Sequence, residues 1–93
     1  MYVVIFRATI AKLDDEYTRM AQELKQLAFS QYACLDFTSV SEGDREIAIS
    51  YWQSMQDIRD WKNDPLHRAA QLKGKNTWYK DFSVEICEAV GTR

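Results

Sequence analysis

The chain is poor in the residue types that most small-molecule sites are built from. Its 93 residues include one histidine, two cysteines, one proline and three glycines. A lone histidine, with Cys34 and Cys87 far apart and no CxxC pair, gives no Cys/His zinc site, and no metal is expected. Gly43, Gly74 and Gly91 stand isolated. That excludes a phosphate loop, a serine nucleophile elbow and the dinucleotide fingerprint of a Rossmann flavin or nicotinamide site. Neither charge sign is in surplus: 12 Lys+Arg against 14 Asp+Glu leave a net charge of −2, with the signs interspersed. Nothing in that balance points to nucleic acid or an anionic membrane as partner. No apolar run reaches membrane-spanning length. The opening Met1-Tyr2-Val3-Val4-Ile5-Phe6 is cut short by Arg7 and lacks the basic leader of a signal peptide, so a cytoplasmic protein is expected.

What is present is ordinary for a globular chain: 46% hydrophobic and 28% charged residues. The length allows one domain, taken as 1–93 with an ordered core over about 2–90. Residues 2–10 read as a strand, with Tyr2, Val4, Phe6, Ala8 and Ile10 on one face and Val3, Ile5, Arg7 and Thr9 on the other. Both faces begin apolar, which suits a strand inside a sheet covered on both sides. Asp14 or Asp15 caps a helix whose stripe is Leu13, Tyr17, Met20, Ala21, Leu24, Leu27 and Ala28. Strands at about 33–41 and 45–52 flank the polar turn Ser41-Glu42-Gly43-Asp44, which suits a hairpin. Ser54 with Asp57 resembles a capping box opening a helix that turns Met55, Ile58 and Trp61 inward. Asp64-Pro65 breaks it and caps a new helix. That helix either ends at Gly74 or runs on to Trp78, since positions 66, 70, 74 and 78 share a face; continuation is the favoured reading. A last strand covers about 81–89, and Gly91-Thr92-Arg93 is expected to fray.

The order β-α-β-β-α-β, with right-handed crossovers, specifies an α+β, ferredoxin-like fold: a four-stranded antiparallel sheet with helices on one face. The other sheet face is partly apolar and needs cover, and a second copy packing sheet against sheet would supply it. A homodimer is therefore expected. Cys34 and Cys87 would lie on opposite edge strands, about 14 Å apart across three strand spacings. A disulfide reaches about 4.4–6.8 Å between Cα atoms, so both are expected to be free thiols.

The densest cluster of distinctive residues runs from Tyr51-Trp52 through Ile58-Arg59-Asp60-Trp61 to Pro65-Leu66-His67-Arg68-Ala69-Ala70. Trp61, on an inward stripe, is either core filler or a wall on which a planar ligand stacks. Trp52 admits the same two readings, and its indole N–H needs an acceptor if buried. His67, one turn into a helix near its positive end, is either a surface residue or a neutral imidazole able to take a proton from a hydroxyl within about 3 Å. Arg7 is either an edge charge in solvent or a guanidinium offered to an oxyanion. Trp78, Tyr79 and Phe82 extend the aromatic inventory.

Taken together, Tyr51-Trp52, Ile58-Arg59-Asp60-Trp61, Pro65-Leu66-His67-Arg68-Ala69-Ala70-Gln71, Gly74 and Trp78-Tyr79 resemble the antibiotic biosynthesis monooxygenase family, of the dimeric α+β barrel group. The resemblance spans about residues 2–90. It implies a homodimer through the sheet face, with a pocket between helices and sheet in each subunit. It also implies chemistry in which a deprotonated phenol or quinol passes electrons to O₂ with no cofactor. A dry aromatic cavity, a proton acceptor and a group holding the anion are then required. Trp61, His67 and Arg7 are the expected catalytic residues, and Trp52, Tyr51, Trp78 and Phe6 the expected substrate contacts. The haem-degrading branch of the family looks like an asparagine on the first strand, a tryptophan before the proline and a histidine after the two alanines. Trp61 matches, but Phe6-Arg7 and Gln71 occupy the other positions, and His67 lies four residues early.

The resemblance therefore favours a cofactor-independent monooxygenase acting, with O₂, on a phenolic, quinol or polyketide-like aromatic. A non-enzymatic module that binds or protects a small hydrophobic molecule is the alternative, and haem binding or degradation a third.

Overall fold

The computed structural model describes residues 1–91, so of the expected frayed end Thr92 and Arg93 lie outside the described residues. The elements are β1 (Tyr2–Ile10), α1 (Asp15–Gln31), β2 (Asp36–Glu42), β3 (Arg45–Trp52), α2 (Met55–Lys62), α3 (Pro65–Lys73), a π turn (Gly74–Trp78) and β4 (Tyr79–Glu88). The strands form one antiparallel sheet in the order β2-β3-β1-β4, the ferredoxin-like arrangement with the helices on one face. No helix among the described residues is long and apolar enough to cross a membrane.

The sequence signals for element ends hold atom by atom. Asp14 caps α1, its Oδ1 accepting from the Tyr17 amide at 2.8 Å. Ser54 Oγ accepts from the Asp57 amide at 3.1 Å, and Asp64 Oδ1 from the Leu66 amide at 2.9 Å with Pro65 as the first residue of α3. The hairpin loop is Gly43-Asp44, with Gly43 at φ +60°, as a two-residue loop with glycine first requires.

Two boundaries differ from expectation. β2 begins at Asp36 rather than near 33, because the amides of Tyr32 and Cys34 both return to the Ala28 carbonyl and satisfy the end of α1. Ala33 takes a left-handed φ of 58° to allow this. Cys34 therefore lies before the edge strand, its thiol directed at the Asp36 carbonyl, and it and Cys87 are both free. β4 begins at Tyr79 rather than 81. Helical backbone continues past Gly74 as expected, but as a π turn whose wider ring closes with the Tyr79 amide on the Gly74 carbonyl. The strand starts in the next residue, paired to Ile10 beyond an irregularity at Thr9/Ile10.

The register sorts side chains by parity. Val4, Ala8, Glu46, Ser50 and Trp52 are buried on the helix side, while Val3, Ile5, Arg7, Ile47, Ile49 and Tyr51 face away from the helices. Packing is solid at one end of the sheet only. There Val4, Ala28, Cys34, Trp52, Ile58 and Trp61 form the core, with Tyr2, Leu24, Tyr32, Phe37 and Met55 against it. Ala28 is the one fully buried residue of α1, at that end. Towards its N-terminus the α1 stripe borders a hollow, which Tyr17, Met20, Ala21 and Leu24 help to line.

Candidate functional site

The hollow is a cavity of about 720 Å³ between the sheet and the helical layer, α1 and α3 with the π turn. Its walls are largely apolar, the usual character of a small-molecule site. Val4, Phe6, Ala48, Phe82 and Val84 form the sheet side, and two polar clusters stand among its walls.

The first cluster is built on α2 and the start of α3. Trp61 is held by its indole N–H, which donates to the Leu24 carbonyl at 3.2 Å, and by an edge contact with Phe37 at 6.0 Å. Behind it lies Trp52, 0% exposed, with centroids 5.1 Å apart and its own N–H donating to Ser50 Oγ at 2.8 Å. The break at Asp64-Pro65 turns α3 so that the His67 ring sits 4.2 Å from the Trp61 ring, with Nδ1 3.2 Å from the Trp61 carbonyl. A carbonyl only accepts, so Nδ1 carries the proton and Nε2 keeps its lone pair. Burial holds the imidazolium down, with pKa about 4, and the nearby Lys62 charge adds to this against the opposing Trp61 hydrogen bond. His67 is therefore neutral through the physiological range.

The second cluster centres on Glu46, a residue not singled out from the sequence. Glu46, 5% exposed, accepts from the Tyr79 hydroxyl at 2.8 Å on Oε2 and from the Tyr17 hydroxyl on Oε1. Tyr17 packs edge-on against Trp78 at 5.2 Å. The Trp78 indole in turn donates to Asp14 Oδ1, the α1 cap, at 3.1 Å. Phe6 stands 5.4 Å from Tyr79 and 5.9 Å from Phe82. Desolvation raises the Glu46 carboxyl above its ordinary range, opposed by the Tyr79 hydrogen bond, and burial also drives the Tyr79 phenol upward. The signal that could have found Glu46 is its phase: it shares a face with Ala48, Ser50 and Trp52 and pairs with Ala8.

Of the expected site residues, Trp61, His67, Trp78 and Phe6 line this one cavity, and Trp52 backs it without reaching the surface. Arg7 and Tyr51 are not brought in. Both lie at odd positions on the opposite face of the sheet, where the Arg7 guanidinium is paired with Glu85. Arg7 thus cannot hold an anion in the cavity of its own chain. Among the described residues no group of three His, Cys, Asp or Glu side chains is placed to hold a metal ion.

No family model matches the chain. It is 36% identical over 88 residues to the uncharacterized protein YqjZ of Bacillus subtilis, covering 94% of this chain and 77% of that protein. SnoaB, a cofactor-independent oxygenase from Streptomyces nogalater, superposes with a TM-score of 0.80 at 14% identity over 98% of this chain and 94% of its own. A crystal structure described as an antibiotic biosynthesis monooxygenase gives 0.75 at 18% identity, covering 98% of this chain and 100% of that one. Rv0793 from Mycobacterium tuberculosis gives 0.81 at 10% identity, covering 98% and 96%. The chain belongs to the YqjZ family and has the antibiotic biosynthesis monooxygenase fold.

Of the residues at the positions compared with the haem-degrading branch, the Gln71 amide donates to the Lys62 carbonyl at 3.2 Å and ties the α2–α3 elbow, Phe6 lines the cavity, and Arg7 faces away from it.

Proposed function

We propose that the chain is a cofactor-independent monooxygenase that oxidises an electron-rich phenol, quinol or polyketide-like aromatic with O₂. The observation that carries this reading is the Trp61–His67 contact, an indole and a neutral imidazole in the wall of one large aromatic cavity. A planar substrate lies against the aromatic wall to which the rim of Trp61 contributes, and Nε2 of His67 accepts a hydrogen bond from one of its hydroxyls. Once ionised, the substrate is itself the reductant. A ring CH₂ (or its phenolic tautomer) becomes C=O with one oxygen atom of O₂, and the other atom leaves as water with the two hydrogens. All four electrons come from the substrate, so no external donor is consumed. The largely apolar lining of the cavity suits such an anion only where water is kept from it. A cytoplasmic location fits this reading, since two unpaired cysteines suit a reducing compartment.

The assembly that fits this reading is a homodimer across the uncovered sheet face, which exposes Val40 and leaves Val3, Ile5, Ile47, Ile49 and Tyr51 half-buried in the isolated chain. The reading is tested by O₂ uptake with a panel of phenols and hydroquinones and no added cofactor. Trp61→Phe and His67→Ala are each expected to remove most of the turnover, and unchanged rates in both would end the assignment. Saturable binding without product would favour the second reading, a binding module, which the apolar lining also suits.

A further inference from the structure

The cavity holds a buried carboxylate that the proposed oxidation leaves unused. Glu46 forms no ion pair; the salt bridges among the described residues join Arg7 to Glu85, and Arg19 and Lys73 to Glu16. Its two oxygens are instead met by phenols from two elements, Tyr17 on α1 and Tyr79 at the start of β4. The scaffold around them is locked. Tyr17 leans on Trp78, which is tied to the α1 cap. The Tyr79 ring lies so close to Gly74 that a Cβ there would stand 3.0 Å from it. All of these groups line the same hollow as Trp61 and His67.

We propose that Glu46 is the terminal proton acceptor of the cavity, taking the substrate's hydroxyl proton through Tyr79, so that the substrate is an aromatic with an ionisable O–H. The proton transfer stands apart from the oxygenase reading, on which only the steps after ionisation rest. The substrate O–H bond breaks as its proton passes to Tyr79 Oη, whose own proton passes to Glu46 Oε2. The products are a phenolate and a neutral carboxylic acid. The choice of Glu46 over His67 follows from charge conservation in an apolar space. Transfer to Glu46 begins with one buried charge and ends with one, spread over an aromatic ring. Transfer to His67 begins with none and ends with two. The imidazolium pKa of about 4 agrees: a phenol with pKa about 10 gives its proton to that ring against a ratio of about a million to one. His67 Nε2 keeps its lone pair, and it accepts a hydrogen bond from a second O–H such as a quinol carries.

2-Naphthol tests this without O₂ chemistry, because its excited state releases its proton only to an acceptor within reach, and naphthol and naphtholate emit at different wavelengths. Bound to the wild-type protein, it should emit as naphtholate. Bound to Glu46→Gln or Tyr79→Phe, each checked for an intact melting transition, it should emit as neutral naphthol. Naphtholate emission surviving Glu46→Gln overturns the assignment. Its survival in Tyr79→Phe overturns the relay, and failure of 2-naphthol to bind overturns the proposal. Naphtholate emission in a protein that consumes no O₂ with any phenol would leave the acceptor standing and remove the oxygenase reading.

Discussion

The neutral His67 ring has a thermodynamic consequence that can be measured without a substrate. In the unfolded chain its pKa is near 6.5, and in the folded protein burial lowers it to about 4. Between those values the unfolded state binds more protons, so stability falls as pH falls through that window and is unaffected well above it. At pH about 4.5 the two pKa values correspond to a loss of about 2.5 kcal/mol relative to neutral pH. His67→Gln removes the titration while keeping an N–H for the Trp61 carbonyl. The raised Glu46 carboxyl gives stability that is lost as pH rises, and the lowered Asp64 carboxyl gives stability lost as pH falls below its ordinary range. Glu46 titrates in wild type and variant alike, whereas Asp64 is coupled to His67 by charge, so the difference between the proteins reports the histidine together with that coupling. For a chain of this size, about 1 kcal/mol moves Tm by roughly 4–8 °C. Wild type should therefore lose roughly 10–20 °C more than His67→Gln between pH about 7.5 and about 4.5, followed by circular dichroism at one protein concentration. Parallel transitions in the two proteins would mean that the ring is hydrated and not part of the cavity wall.

Two more outcomes are expected from the packing. Ile49→Glu places a carboxylate at a central position of the uncovered sheet face, and light scattering should show a monomer where the wild type is a dimer; a wild-type monomer would refute the dimer. Asp14→Ala removes both the α1 cap and the Trp78 anchor. It should cost about 1–2 kcal/mol in urea unfolding, together with a change in near-ultraviolet circular dichroism from the freed indole.

Most of the architecture was legible because its signals are local. A capping side chain, a proline at the first helical position and a glycine in a two-residue loop each act within three or four residues. The start of β2 was not legible, since it depends on whether the Ala28 carbonyl captures two amides downstream of its helix. The faces of the sheet were ambiguous for a different reason. Both faces of β1 are apolar, so nothing in the sequence places Arg7 on one side. On β3 the more apolar set, Ile47, Ile49 and Tyr51, is the one turned away from the helices, while Glu46, Ala48 and Ser50 line the hollow. Strand alternation identifies two sets, but not which set meets a helix. Glu46 is hidden for the same reason: an acidic residue at a strand start reads as solvent-facing until its neighbours across the sheet are known.

The π turn carries one residue more than an α-helical turn needs. Were one position between 75 and 77 deleted, the stretch could close as ordinary α-helix, and everything beyond it would swing by about 100°. The Trp78 indole would leave Asp14, the Tyr79 phenol would leave Glu46, and the last strand would need to slide to keep its ladder with β1. One codon of extra length in the π turn thus sets which side chains reach Asp14 and Glu46.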